Sequence, residues 1–193
     1  MTEWASHIGI PKICRDTAIS VALVPDLAKT WAEKLPESAR VAGGMLLAGP
    51  PGSGKSFTAA WMLLELYRRC WFTADGQPVG PWERIGARFI RCHDVTRAAV
   101  MKDFAQIRTW WEPDVLVLDD WPDGLPAWLV LELTDLLDRR HVEQRFTIVT
   151  TNILCGKPDE TDTFETNYSR AASRLLDARG PGLVVLNRGD LRR

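Results

Sequence analysis

The sequence predicts an α/β fold in which a parallel sheet is covered by helices on both faces and carries a phosphate-binding loop. Three observations predict it. Short apolar runs alternate with longer amphipathic stretches, the pattern of right-handed strand–helix–strand crossovers. The segment Gly49-Pro50-Pro51-Gly52-Ser53-Gly54-Lys55-Ser56 satisfies G-x-x-x-x-G-K-[ST] at every fixed position. A third run, Val115-Leu116-Val117-Leu118, is wholly apolar and ends in two acids, Asp119 and Asp120.

Taken in order, residues 1–40 read as an N-terminal extension and 41–193 as the core domain. Pro25-Asp26-Leu27 opens a short helix, with Pro25 suited to a first turn. Leu27, Trp31 and Leu35 recur at helical spacing and predict its buried face. The apolar run 44–48 is the first strand, and the phosphate loop follows it. A helix from Phe57 to Cys70 comes next, burying Ala60, Leu63, Leu64 and Tyr67. Gly and Pro in 74–86 signal turns. Arg88 to Cys92 is the second strand, with Phe89 inward; Asp94 or Thr96 caps a helix running to about Arg108. Asp114 to Leu118 has the density of a strand buried on both faces. Ala127 to Glu143 is a helix whose core face is Leu129, Leu133, Leu136 and Leu137. Phe146 to Thr150 is the fourth strand. Thr163 to Ala178 is a helix ended by Gly180-Pro181-Gly182, and Leu183 to Leu186 is the fifth strand.

A length of 193 residues suits one α/β domain with a full core. A net charge of −1 excludes a global basic field for nucleic acid and leaves only a local stripe. The four cysteines are widely spaced without a C-x-x-C pair, and with three histidines they give no zinc-site spacing. That usage points to a reducing, cytoplasmic compartment. No signal pattern opens the chain, and no apolar run approaches the ~18 residues of a membrane span. Trp110, Trp111, Trp121 and Trp128 gather around one predicted strand. They read as packing residues, or alternatively as a stacking platform for single-stranded nucleic acid.

The chemistry lies in the loop and the strand ends. Glycines let backbone N–H groups curl around phosphates, Lys55 sets a cation against the β- and γ-phosphates, and the Ser56 hydroxyl can ligate Mg²⁺. The candidate nucleotide-binding set therefore runs Gly49, Pro50, Pro51, Gly52, Ser53, Gly54, Lys55, Ser56 and Phe57, with ATP and Mg²⁺ as cofactors. Asp119 is assigned to the metal. Asp120 is assigned to orienting or deprotonating the attacking water, or else to capping the turn Trp121-Pro122-Asp123-Gly124. Aspartate is shorter than glutamate, so hydrolysis is expected to be slow. Asn152, after Thr147 to Thr151, can reach the γ-phosphate or water, although Thr-Asn at a strand end is also turn chemistry. Arg170 and Arg174 share one helix face at i and i+4. Two cations in line repel modestly, and they suit an anion presented by a neighbouring subunit unless they are simply a solvated face.

Together these elements resemble the AAA+ ATPases, and within them the DnaC-like helicase loaders and the IstB-type transposition ATPases. The likeness rests on Gly9-Ile10-Pro11, Gly49 to Ser56, Leu116 to Asp120, and Asp138-Arg139-Arg140 leading into Thr147 to Asn152. It continues through Ala172-Ser173-Arg174-Leu175 and Gly182-Leu183-Val184-Val185. The resemblance implies a five-stranded sheet in the order 5-1-4-3-2, Asn152 as sensor I, and Arg174 as an arginine finger with Arg170 nearby. It places Ile8 to Ile10 near adenine. It implies an ATPase that loads a replicative helicase, binds single-stranded DNA and forms an ATP-dependent homo-oligomer. Arg97, Lys102 and Arg108 on the helix after the second strand are the candidate phosphate contacts, or else an ordinary solvated helix face. Because the sequence stops shortly after the fifth strand, the expected core has no C-terminal lid. The alternatives are an IstB-type helper on duplex DNA and, from another class, a small-molecule P-loop kinase.

Overall fold

The computed structural model describes residues 2–16, 23–38, 43–70, 77, 85–155, 162–177 and 179–186. Five strands form one sheet: β1 Gly43–Ala48, β2 Ala87–Arg91, β3 Val115–Trp121, β4 Phe146–Thr151 and β5 Gly182–Val185. Every neighbouring pair is parallel, and the order is β2-β3-β4-β1-β5. This is the order implied by the resemblance. All four central crossovers carry helix, as parallel pairing requires.

The sheet sorts its side chains with the period of two that a pleated strand imposes. Met45, Leu47, Val115, Val117, Phe146 and Ile148 face one core. Leu46, Ala48, Leu116, Leu118 and Val149 face the other. The first core is covered by α1 Thr2–His7, α2 Lys12–Asp16, α3 Asp26–Ser38 and α4 Lys55–Cys70. The second is covered by α5 Cys92–Val100, α6 Phe104–Thr109, α7 Ala127–Val142, α8 Phe164–Asn167 and α9 Ser169–Leu175. Among the described residues, no helix is long and apolar enough to cross a membrane.

Several elements differ from the sequence expectation. Among the described side chains of α3, Ala28 and Ala32 are buried, Trp31 is half-buried and Leu27 is 41% exposed, while the Leu35 side chain lies outside the described residues; close approach of α3 to α4 favours the small side chains. The expected helix from residue 94 to 108 is broken into α5 and α6. Lys102 takes a left-handed backbone, φ 56°, and the Asp103 carboxylate accepts the Gln106 N–H at 3.0 Å, capping α6. Asp94 and Thr96 lie inside α5, where the Thr96 hydroxyl donates to the Cys92 carbonyl at 3.0 Å. The helix expected from 163 to 178 is also split. Tyr168, at φ −133°, leaves helical geometry; its ring is drawn into the core, edge-on to Trp121 at 5.4 Å. Its hydroxyl donates to the Pro122 carbonyl at 3.3 Å. The turn signals at 74–76 and 78–84 and the expected helix end at Ala178 lie outside the described residues.

Among the buried polar residues, Arg140 is the largest. Arg140 of α7 is 0% exposed. Its Nε donates to Thr147 Oγ1 at 2.9 Å, Nη1 to the Trp111 and Pro113 carbonyls at 3.0 and 2.7 Å, and Nη2 to the Asp114 and Phe146 carbonyls at 3.3 and 2.7 Å. All five donors are used. The guanidinium thereby ties α7 to the chain entering β3 and to the start of β4.

Candidate functional site

The phosphate loop leaves β1 at the carboxyl end of the sheet, where open α/β folds bind ligands. Gly49, Gly52 and Gly54 have φ of 153°, 79° and 93°. At Gly49 a side chain is excluded outright, because a Cβ would lie 2.4 Å from the Leu186 carbonyl oxygen. The Leu186 N–H in turn donates to the Ala48 carbonyl at 2.8 Å, so the segment after β5 buttresses the loop. Lys55 is buried, and its ammonium donates to the carbonyls of Gly49 and Pro50, both at 2.8 Å. These contacts hold the cation within the loop. Lys55, Ser56 and Phe57 form the first turn of α4, whose N–H groups have no acceptor within a helix and face an incoming anion. Pro50 and Pro51 lie at the rim, and Ser53 is buried beneath it.

The two acids end β3 through a β-bulge. Leu118 pairs with Val149 but Trp121 pairs with Thr151, so β3 carries one residue more than β4. The bulge is centred on Asp120, at φ 60°. It turns Asp119 inward and Asp120 outward. Asp119 is 6% exposed. Burial pushes its pKa up, opposed by hydrogen bonds from Ser56 and then Thr150, while neighbouring Asp120 raises it further. A buried carboxylate of raised pKa touching the Ser56 hydroxyl has the donor set and charge that suit Mg²⁺.

Thr150 is the residue that sequence reasoning missed. Its hydroxyl donates to Asp119 Oδ1 at 2.8 Å and accepts the Asp120 N–H at 2.8 Å, fixing both acids with one atom. The Asn152 amide donates to Asp120 Oδ1 at 3.3 Å, so the outward acid and the sensor candidate form a unit. Thr151 braces the end of β4, donating to the Trp121 carbonyl at 2.9 Å and accepting the Ile153 N–H at 3.1 Å. The signal available was the Thr-Thr pair directly before Asn152.

Asp119→Asn carries a stability prediction. With the folded pKa raised, the group costs nothing below its ordinary pKa, and stability falls as pH climbs through the raised value. The asparagine variant is expected to melt above wild type at neutral pH without nucleotide. It should also lose that acid-side pH dependence and the Mg²⁺-dependent part of stabilisation by ATP. Thermal unfolding across pH 3–8, with and without Mg·ATP, checks all three.

Arg174 is placed elsewhere. It lines a small recess beside Gly43, His141 and Thr147, at the amino ends of β1 and β4. At ~3.3 Å per residue, β1 separates it from the phosphate loop by roughly 20 Å. Its Nε donates to Asp138 Oδ1 at 2.6 Å, and Arg170 pairs with Asp138 Oδ2. The two cations in line are thus reconciled by a carboxylate on α7.

Other candidates are distributed as follows. Arg97 and Lys102 line a groove of about 780 Å³ with Arg88, and Arg108 lies outside it. Trp110 and Trp121 are buried at 3% and 0%, and Trp111 carries Arg139 over its ring at 4.3 Å. Trp110 and Trp121 are therefore packing residues, Trp128 is 46% exposed, and the four form no joint stacking platform. Ile8 and Ile10 are buried, and the Ile8 carbonyl accepts the Phe89 N–H at 2.7 Å. This binds the segment proposed for adenine to the edge strand β2, which β3 and β4 separate from β1.

No protein-family model matches the chain, and no curated protein matches it. Solved structures do. The crystal structure of the DnaC helicase loader aligns at TM-score 0.57 and 21% identity, over 83% of this chain and 86% of that one. The crystal structure of DnaI aligns at TM-score 0.60 and 16% identity, over 93% and 89%. The replication initiator DnaA, bound to AMPPCP and single-stranded DNA, aligns at TM-score 0.62 and 14% identity. There the match covers 94% of this chain and 52% of DnaA, so the chain spans about half of that protein's length. What these structures share with the chain is the fold, a five-stranded parallel sheet with helices on both faces.

Proposed function

We propose that this AAA+ fold is an ATPase that works as an oligomer in DNA replication, loading a replicative helicase in the manner of the DnaC-like proteins. The observation that carries the reading is the separation of the parts. Lys55, Ser56, Asp119, Asp120 and Asn152 converge at the carboxyl end of the sheet, and Arg174 stands at the amino end. A nucleotide at the first set is completed by the arginine of a neighbouring copy, so assembly and turnover are one event.

The residues divide the work. The first-turn amides of α4 and the Lys55 ammonium hold the phosphates, and Ser56 and Asp119 supply oxygen donors to the metal. A bound Mg²⁺ would neutralise charge on the β- and γ-phosphates. Asp120 accepts the proton of the attacking water, with Asn152 fixing the orientation of its carboxylate. Arg174 of an adjoining copy stabilises charge on the transferring phosphoryl group.

Single-stranded DNA is the proposed second ligand, supported by the groove where Arg88, Arg97 and Lys102 outnumber Asp94 and Asp103 and by DNA in the matching DnaA structure. A replicative helicase is the proposed protein partner and the cytoplasm the proposed compartment. The distal arginines count against the kinase alternative, whose cations must surround one substrate in one chain.

Mass measurement with ATP, ADP or no nucleotide, with and without single- or double-stranded oligonucleotides, tests the reading. ATP-dependent oligomers that engage single strands support it. A monomer under every condition overturns it, and duplex preference shifts it to the IstB-type helper. Lys55→Ala should weaken ATP by about 2–5 kcal/mol, the cost of truncating one side of a buried charge pair. That is roughly 30-fold to several thousand-fold in Kd, measurable by calorimetry.

A further inference from the structure

Arg174 and Arg170 share a single anchor. Asp138 projects from α7 toward α9, and its side chain is 16% exposed, against 36% for Arg174 and 63% for Arg170. Oδ1 accepts Arg174 Nε at 2.6 Å, and Oδ2 meets Arg170 Nη2. Arg174 is therefore gripped at the root of its guanidinium. Its terminal nitrogens, Nη1 and Nη2, make no hydrogen bond with any described residue. They are the fork that meets phosphate oxygens two at a time. Arg170 is held through one of its terminal nitrogens and is the more exposed of the two.

A free arginine side chain carries a large rotamer entropy. A carboxylate at Nε removes much of that freedom before the anion arrives, and it leaves the charge of Arg174 in place because the pair of arginines exceeds the single anion by one. We propose that Asp138 is the positioning residue for Arg174: it aims the Nη1/Nη2 fork of one copy at the γ-phosphate held by the next. This rests on the ATPase reading above. Asp138 touches neither nucleotide nor metal in that arrangement; it acts through the arginine.

Three variants measured in steady state test it. Asp138→Ala is expected to lower kcat about 10²-fold, the effect of misplacing a group at the reacting centre by about 1 Å, with KM for ATP unchanged. Asp138→Asn keeps an acceptor for Nε and loses the charge, so a smaller loss of about tenfold is expected. A merely structural role is separated by mixing. Asp138→Ala subunits have an intact nucleotide site and a misaimed arginine, whereas Lys55→Ala subunits have the reverse. Mixed together they should regain turnover. Asp138→Ala mixed with Arg174→Ala should not, because both lack the same half.

Wild-type kcat in both Asp138 variants overturns the inference. So does rescue of Asp138→Ala by Arg174→Ala. Failure of Lys55→Ala to rescue Asp138→Ala, while it still rescues Arg174→Ala, assigns Asp138 to folding alone and also overturns it. If Arg174→Ala itself turns over normally, the arginine finger is gone and this inference falls with it; normal Asp138 variants beside a dead Arg174→Ala remove only the inference. Asp138→Asn is nearly isosteric and keeps the test usable if the alanine variant does not fold.

Discussion

Replacing Arg174 by alanine is expected to lower kcat by about 10³- to 10⁵-fold, the range for a guanidinium delivered in trans to a transferring phosphoryl group, with the Kd for ATP essentially unchanged. The split follows from position. Arg174 stands at the amino end of β1 and β4, beside Gly43 and Thr147, and Lys55 stands beyond the carboxyl end of β1 with the Gly49 and Pro50 carbonyls. No side chain spans that length, so the variant's own phosphate site is intact. What disappears is charge stabilisation in the neighbour's transition state, which affects kcat and not ground-state binding. Single-turnover rates with equilibrium nucleotide titration measure the two separately. A variant that binds and turns over like wild type refutes the trans arrangement, and one that loses binding refutes the position assigned to it.

Arg140→Ala is expected to destabilise the fold by about 3–5 kcal/mol, a large part of the roughly 5–15 kcal/mol available to a domain. Five buried acceptors lose their donor at once, each worth about 1–3 kcal/mol when left unmet. Against that sum stands the cost of keeping the cation in the core. Burial, and then the nearby Arg145, push its pKa down to about 9, so it is charged at neutral pH and its removal returns several kcal/mol of desolvation. The lost hydrogen bonds win because the truncation also leaves a cavity. Arg140→Lys should recover part of the loss, since an ammonium has three donors and lacks the planar fork. Urea unfolding midpoints rank the three proteins. Because Arg140 and Asp138 share α7, the alanine variant should also lower turnover at temperatures where it remains folded.

The strands were readable because each is a short apolar run bounded by turn residues, and their parallel pairing follows from the helices between them. The phosphate loop was readable because every residue type in it has a separate job. Four features were not, for physical reasons. The α5–α6 break depends on one left-handed residue, Lys102, a conformation that lysine's sequence context does not announce. The split at Tyr168 depends on a tertiary demand, its ring against Trp121 and Phe164, which overrides helix propensity. Arg140 looks like one more basic residue near a helix end; only the fold supplies its five acceptors. Asp138 and Arg174 are far apart in sequence, so the repulsion expected between the two arginines could be read locally and its cure could not. Leu27 shows the converse, an apolar residue at the right spacing left outside because Ala28 and Ala32 let two helices approach closely.

The bulge ending β3 bears on the choice of acid at position 120. A backbone at φ 60° is visited readily by glycine and, among other residues, mainly by short polar ones whose side chains can bond locally. Aspartate belongs to that group, and glutamate does not. The carboxylate one methylene shorter is therefore the one this stretch of main chain accepts at the lower cost. The bulge leaves the Asp120 side chain exposed at the strand end, within reach of the Asn152 amide.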